Sequence, residues 1–377
     1  MMGGIRDTPE DAAANVGLSL DGGHPPELDI RTSREEFARV QSGQRALSVT
    51  RDIAQEKLPC TGRTSCAFHL SRTSRGRCAR KGSFSAKDDL KYRMSTRERL
   101  VDQLRYVTLR DTEERALQVM ALRTEAAELD SLLNSQHRSG AWSADTQQAP
   151  ANCFHTALAL IALRPFGANP RVADATYRAF DWLDMTRGLE NHWLWKWKFR
   201  FFDRQVRFDP AKTGWPWIEG TVSWVAPTAM TLLAHRAWQR DTPRVPIAEA
   251  MLIDRACPGG GWNAGNAEVF GVPLEPHVDF TAMALLALRP SRHGETAVIR
   301  RALTYLSGRS SGLTSTYSMA WAAMALSAWN AAAAGTVRRL EERLHKVAAN
   351  SVPVREMCLA ALALEVPPFV FRGGGDE

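Results

Sequence analysis

The chain has 377 residues, of which 44% are hydrophobic, and a formal net charge of +7. That apolar content is enough for a folded core of one large or two small domains. No run approaches the ~18–20 uninterrupted apolar residues of a membrane span, which excludes an integral helical membrane protein as the sequence reading.

Charge and aromatic residues are unevenly spread. Residues 1–93 hold 16 Lys/Arg against 12 Asp/Glu and no tryptophan, whereas all 12 tryptophans lie between Trp142 and Trp329. Residues 1–95 alternate Pro/Gly with Arg/Ser stretches and are expected to be a disordered basic leader, because such a composition buries too little apolar area to offset chain entropy. The run Ser71–Lys81 carries five cations and no acid, but it lacks interleaved aromatics, so nucleic acid is not the expected partner. Met94 stands directly before a helix start, Ser95-Thr-Arg-Glu98, and a second reading begins the protein there. The N-terminus has no apolar signal core. The six cysteines form no C-x-x-C pair. Together these point to a cytoplasmic protein.

From residue 96 to 371 the chain reads as one repeat domain, followed by a disordered tail, 372–377. An alanine-rich octet recurs six times, starting at Arg115, Thr156, Thr228, Thr281, Met319 and Met357. Its cleanest copy is Thr281-Ala-Met-Ala-Leu-Leu-Ala-Leu288. Almost no charge interrupts these copies, so they are predicted to be inner helices covered on both sides. Between them lie amphipathic stretches predicted as outer helices: Thr96–Val107, Thr124–Gln136, Arg171–Met185, Val245–Ala256, Thr296–Gly308 and Val337–Ala348. The fold expectation is therefore all-α, with six helical hairpins stacked as a repeat array.

Gly-Trp loops precede several inner helices, as in Gly140-Ala-Trp142, Gly214-Trp-Pro-Trp217 and Gly260-Gly-Trp262. Packing over the hairpin is the expected role of Trp142 and Trp262. The longest interruption of the repeat contains Trp193-Leu-Trp-Lys-Trp-Lys-Phe-Arg-Phe201. Its aromatics alternate with basic residues, which predicts a small β excursion. Such a strand could cover the opening of the array or make a peripheral membrane contact through Trp193, Trp195 and Trp197.

Gln136-x-x-x-Gly140-x-Trp142 resembles the QxxxGxW repeat of squalene-hopene and oxidosqualene cyclases. Gly260-Gly-Trp262 with the octet from Thr281 is similar to repeats shared by these cyclases and protein prenyltransferase β subunits. The resemblance covers roughly residues 96–366 and implies an α6/α6 toroid around an apolar cavity for isoprenoids. It implies an isoprenoid-handling enzyme, cyclase-like or prenyltransferase-like, whose partner is an isoprenoid or other apolar small molecule. Where type II cyclases carry a D-x-D-D acid motif, this chain has His277-Val-Asp279-Phe280-Thr281. One acid survives, and a cationic His beside it would favour its ionised form. The nearest match to the prenyltransferase zinc pair, Asp254-Arg-Ala-Cys257, is one residue too long, and a third ligand is missing. No metal and no cofactor are expected, since the chain also lacks a phosphate-binding glycine motif. These departures keep open an alternative, a non-catalytic toroid that binds lipid or peptide.

The candidate chemical residues are Asp279 as the acid and His277 as its partner, with His155 and Glu219 at or before the starts of other inner helices. Residues aligned with Asp279 in other copies are Phe154, Ala226, Tyr317 and Arg355, so the repeat itself does not require an acid there. Asp279 could instead cap its helix, and His155 could be an ordinary hydrogen-bonded histidine. Trp217, Trp224, Trp321 and Phe280 are the candidate cavity wall, where a π-face would stabilise a carbocation. Core packing is the competing role for these rings.

Overall fold

A computed structural model of the chain describes residues 94–123, 126–145, 149–201, 208–289, 296–347 and 351–365. The leader and tail expectations fall outside these residues, apart from Met94 and Ser95. The described chain is mostly helical, with thirteen α-helices and two short strands. None of its helices is long and apolar enough to cross a membrane.

Six helices carry the octets. They are α2 (Thr112–Leu122), α4 (Cys153–Leu163), α7 (Val225–Ala237), α9 (Val278–Leu288), α11 (Thr316–Ala328) and α13 (Val354–Ala363). Six amphipathic helices alternate with them: α1 (Thr96–Leu104), α3 (Ala126–Asn134), α5 (Pro170–Met185), α8 (Arg244–Asp254), α10 (Ala297–Ser310) and α12 (Ala334–Lys346). Helix starts follow the sequence. Ser95 and Glu98 form a reciprocal capping box on α1, and Asp111, Asn152, Asn169, Thr296 and Ser315 cap α2, α4, α5, α10 and α11. Helix α5 shows the amphipathic rule, burying Val172, Ala175, Thr176, Ala179, Phe180 and Leu183 along one stripe.

The octet helices pack against one another in cyclic order. Helix α2 lies on α4, α4 on α7, α7 on α9, α9 on α11 and α11 on α13, and α13 returns to α2. The amphipathic helices lie against this cycle, with α3 on α2, α5 on α4, α8 on α7, α10 on α9 and α11, and α12 on α11. Helix α1 completes the set against α13 and α2. Alanines permit the close approach. Past its first turn, each octet helix is buried on every face as far as its last turn. Side chains, rather than an apolar hollow, therefore fill the middle of the cycle at that depth.

Three hairpins share one clasp. The Trp142, Trp215 and Trp262 side chains are fully buried, and each indole N–H donates to a carbonyl near the end of the preceding outer helix: Leu132, Leu183 and Leu252. Each of these tryptophans also donates its backbone N–H, at 2.9 Å, to the hydroxyl that opens the next octet: Thr156, Thr228 and Thr281. Gly140 and Gly260 have φ of 94° and 93°, and an added Cβ at either would meet the backbone of Arg178 or Arg301. The packing role expected for Trp142 and Trp262 is what the structure shows, and Trp215 shares it.

Residues Trp193–Phe201 form a helix, α6, and not the expected strand. Aromatics spaced by four satisfy a helical register as well as an alternating one. The ring pairs Trp195–Phe199 and Trp197–Phe201 are stacked along it at 5.8 and 5.5 Å. The two strands lie elsewhere, as a hairpin of β1 (Glu268–Val269) and β2 (Val272–Pro273). Its turn residues Phe270 and Gly271 both have positive φ, 54° and 76°, as a tight hairpin turn needs.

Candidate functional site at the start of the octet helices

Helices α9, α11 and α13 start with residues that are less buried than their middles, and ionisable groups collect there and at the start of α2. The second residue of α2 is Glu113, of α9 Asp279, of α11 Tyr317 and of α13 Arg355. Cyclic packing brings these positions towards one another. Helix dipoles favour carboxylates at such ends, which suits Asp111, Glu113, Glu114 and Asp279.

Arg355 is the one cation at the centre of this group. Its Nη2 donates to Asp111 Oδ2 at 3.0 Å, and its Nε lies 3.0 Å from Glu113 Oε2. The second contact is an ion pair without hydrogen-bond alignment. Asp111 also caps α2 by accepting from the Glu114 N–H, while Glu114 accepts from the Arg110 N–H at 2.8 Å. Glu113, like Glu114, is only 8% exposed, and its contact with Arg355 lacks the alignment of a hydrogen bond. Burial pushes its pKa from an ordinary 4.5 up to about 7. Arg355 opposes that rise, but Asp111 takes its aligned hydrogen bond, and the charges of Asp111 and Glu114 add to the rise.

Three other groups complete the setting. Tyr317 has its phenol pushed up by burial and by the charges of Glu113 and Asp279. Its ring meets Trp321 edge-on at 6.3 Å. His155 lies in the first turn of α4, and burial lowers its pKa to about 4, so it is neutral around pH 7. The charge of Asp111 pulls the other way and does not reverse the shift. The His155 Nδ1 is buried without a hydrogen-bond partner.

The candidates named from sequence are thus divided. The charge of Asp279 acts on Tyr317, whose ring packs against Trp321, and the charges of Asp111 and Arg355 act on His155. Asp279 is not the cap of α9; that position belongs to His277, which makes no side-chain cap. His277 is exposed, and its ring stacks on half-buried Phe280 at 5.8 Å. Glu219 is exposed in the turn before α7. Trp217 packs on Phe154 at 5.2 Å, and its carbonyl accepts from the Cys153 N–H. Trp224 precedes α7 with its ring pressed on Gly265, where an added Cβ would lie 2.8 Å away. Asp254 pairs with Lys212 at 3.0 Å, while Cys257 is buried.

Glu113 was not among those candidates. One signal could have found it: the offset that aligns Asp279 with Tyr317 and Arg355, applied to the faint copy at Arg115, lands on Glu113.

No family model and no curated protein matches the sequence. Solved structures do show likeness. The chain is similar to alpha-2-macroglobulin of E. coli, with 15% identity and a TM-score of 0.42, over 71% of this chain and 16% of that one. It is similar to a type II terpene cyclase from Scytonema in complex with its product merosterolic acid A, with 14% identity and a TM-score of 0.43, over 69% and 81%. Alpha-2-macroglobulin of Salmonella matches with 15% identity and a TM-score of 0.40, over 72% and 17%. The chain spans less than half the length of the first two macroglobulin structures it matches.

Proposed function

We propose that the chain is an α6/α6 toroid enzyme that delivers a proton to an oxygen-bearing isoprenoid held where the octet helices begin. The cyclic order from α2 round to α13 and back supports the toroid reading. One observation carries the chemistry: Glu113 is a buried carboxyl whose pKa of about 7 leaves it substantially protonated near neutral pH. Such a group is a poor donor to a carbon–carbon double bond and a suitable one for an epoxide or allylic alcohol. In the proposed step Glu113 gives its proton to the substrate oxygen, the C–O bond breaks with its electron pair going to oxygen, and a carbocation remains. The face of Tyr317 stabilises that cation, with the buried Trp321 packed against it edge-on. The Asp279 carboxylate takes a proton from the product cation, so the conversion is redox-neutral. Under this proposal His277, Glu219, Trp217, Trp224 and Phe280, all at or before the starts of octet helices, border the bound substrate.

The test is conversion of a panel of linear prenyl epoxides and allylic prenols, followed by mass spectrometry of the products. Wild type should form a cyclised or rearranged product, and Glu113→Gln should lower the rate about a hundredfold or more with helical content unchanged. Full activity in Glu113→Gln, or in Asp279→Asn, would remove the assignment.

A second reading, a binding protein without chemistry, draws on the filled middle of the cycle. A carrier for a long lipid would need still more volume than a reaction at the opening, so a peptide is the better occupant under that reading. Native mass spectrometry showing a retained, unaltered molecule and no turnover would favour it.

A further inference from the structure

The largest exposed apolar feature among the described residues is α6. At 100° per residue, Trp193, Leu194, Trp197 and Phe201 fall within one stripe about 100° wide, and these four are 53–72% exposed. The opposite face is used. Trp195 and Phe199 stack on each other, and Phe199 meets Phe208 at 5.1 Å. Phe208 in turn lies 4.0 Å from the guanidinium of the fully buried Arg255. A helix normally has one apolar face, and this one has two, the inner packed and the outer more than half exposed.

Cations border the exposed stripe. Lys198 holds its ammonium over the Trp195 ring at 4.4 Å, on one margin, and Lys196 occupies the other by register. The nine residues of α6 include three basic and no acidic ones. Arg255 also fixes a second apolar projection. Its Nη1 donates to the Gly265 carbonyl and to Asn266, directly before the β1–β2 hairpin. That hairpin exposes Phe270 at its tip and Val272 beside it, 70% and 60% accessible. Phe270 pays for this place with a left-handed backbone that bulky residues avoid. The two projections also share an end of the helix array. The hairpin leads into the start of α9, and the Leu189 N–H, just before α6, donates to the carbonyl of Thr221 in the turn that precedes α7.

We propose that α6 and the hairpin tip form a docking surface for an anionic phospholipid membrane, placing the candidate site's end of the molecule at the lipid surface. Tryptophan and phenylalanine with lysines on both margins suit the headgroup boundary. Two projections from separate segments suit a planar, yielding partner. The inference is independent of the chemistry at Glu113.

The test uses the full chain with vesicles of phosphatidylcholine alone or with about 30 mol% phosphatidylserine. Flotation measures binding, and tryptophan emission reports which part of the chain binds, because residues 1–93 contain no tryptophan. The chain should float with the anionic vesicles and shift its emission to the blue. Trp193→Ser/Trp197→Ser should weaken binding at least tenfold and abolish the shift, with thermal stability unchanged. Lys196→Glu/Lys198→Glu should weaken binding to the anionic vesicles alone. Flotation without the blue shift would assign binding to the leader and overturn the proposal. So would unchanged binding in the tryptophan variant, or a wild-type dimer by light scattering that this variant dissolves.

Discussion

Substituting Glu113 should change how stability depends on pH. The carboxyl binds its proton more tightly when folded, with a pKa of about 7, than when unfolded, near 4.5. Below about pH 4.5 both states are protonated, and the group costs nothing. As pH rises from about 4.5 to 7 the unfolded chain releases this proton while the folded state keeps it, so stability falls, and above 7, where both states have ionised, the loss is complete. The span of ~2.5 units at ~1.4 kcal/mol each gives a loss of about 3 kcal/mol by pH 8. His155 acts in the opposite sense. Its folded pKa of about 4 lies below the ordinary 6.5, so its neutral form favours folding above pH 6.5 and that contribution is lost as pH falls towards 4. The two slopes partly cancel in wild type, and the readout must be a difference. Urea unfolding followed by tryptophan emission at pH 5, 6, 7 and 8 should show Glu113→Gln gaining about 2.5 kcal/mol relative to wild type from the lowest to the highest pH. Glutamine keeps an oxygen beside Arg355, which stays paired with Asp111. Parallel curves for the two proteins would refute the burial argument.

Two further outcomes concern the clasp. Thr281→Val leaves the buried Trp262 N–H without its acceptor and should cost about 1–3 kcal/mol in urea unfolding; a neutral effect would mean the hydroxyl is dispensable. Gly260→Ala combines φ of 93° with a Cβ 2.7 Å from the Arg301 carbonyl oxygen and should cost about 2–4 kcal/mol. Gly259→Ala, whose Cβ would meet nothing within 4 Å, is the control and should change the melting temperature little.

The helices were legible because two signals agree. The octets lack charge where a helix is buried all round, and the segments between them carry charge on one face. The segment at Trp193 was misread because alternation places aromatics at i and i+4 as well as i and i+2, so nine residues fit either period. Asp279 was legible as an acid in a repeat that does not need one. Its surroundings were not. Arg355 and Tyr317 were visible as occupants of the equivalent position, but only cyclic packing sets them beside Asp111 and Glu113. The displaced pKa of Glu113 is a property of that enclosure, and composition alone cannot show it. The filled middle likewise depends on how the alanine faces meet, which the spacing of octets does not state.

Helix α13 joins the last octet to the first, and it does so without the tryptophan–threonine clasp, since Met357 stands where the clasped copies have threonine. Charges hold it at both ends instead: Arg355 to Asp111 and Glu113 at its start, and Glu365 to Arg97 and Arg123 at its finish. Ionic fastenings near solvent yield to electrolyte, whereas greasy ones do not. The molecule therefore has a seam, and it runs through Glu113. Amide exchange at the two ends of that join should rise in concentrated salt, and the proposed chemistry sits beside one of them.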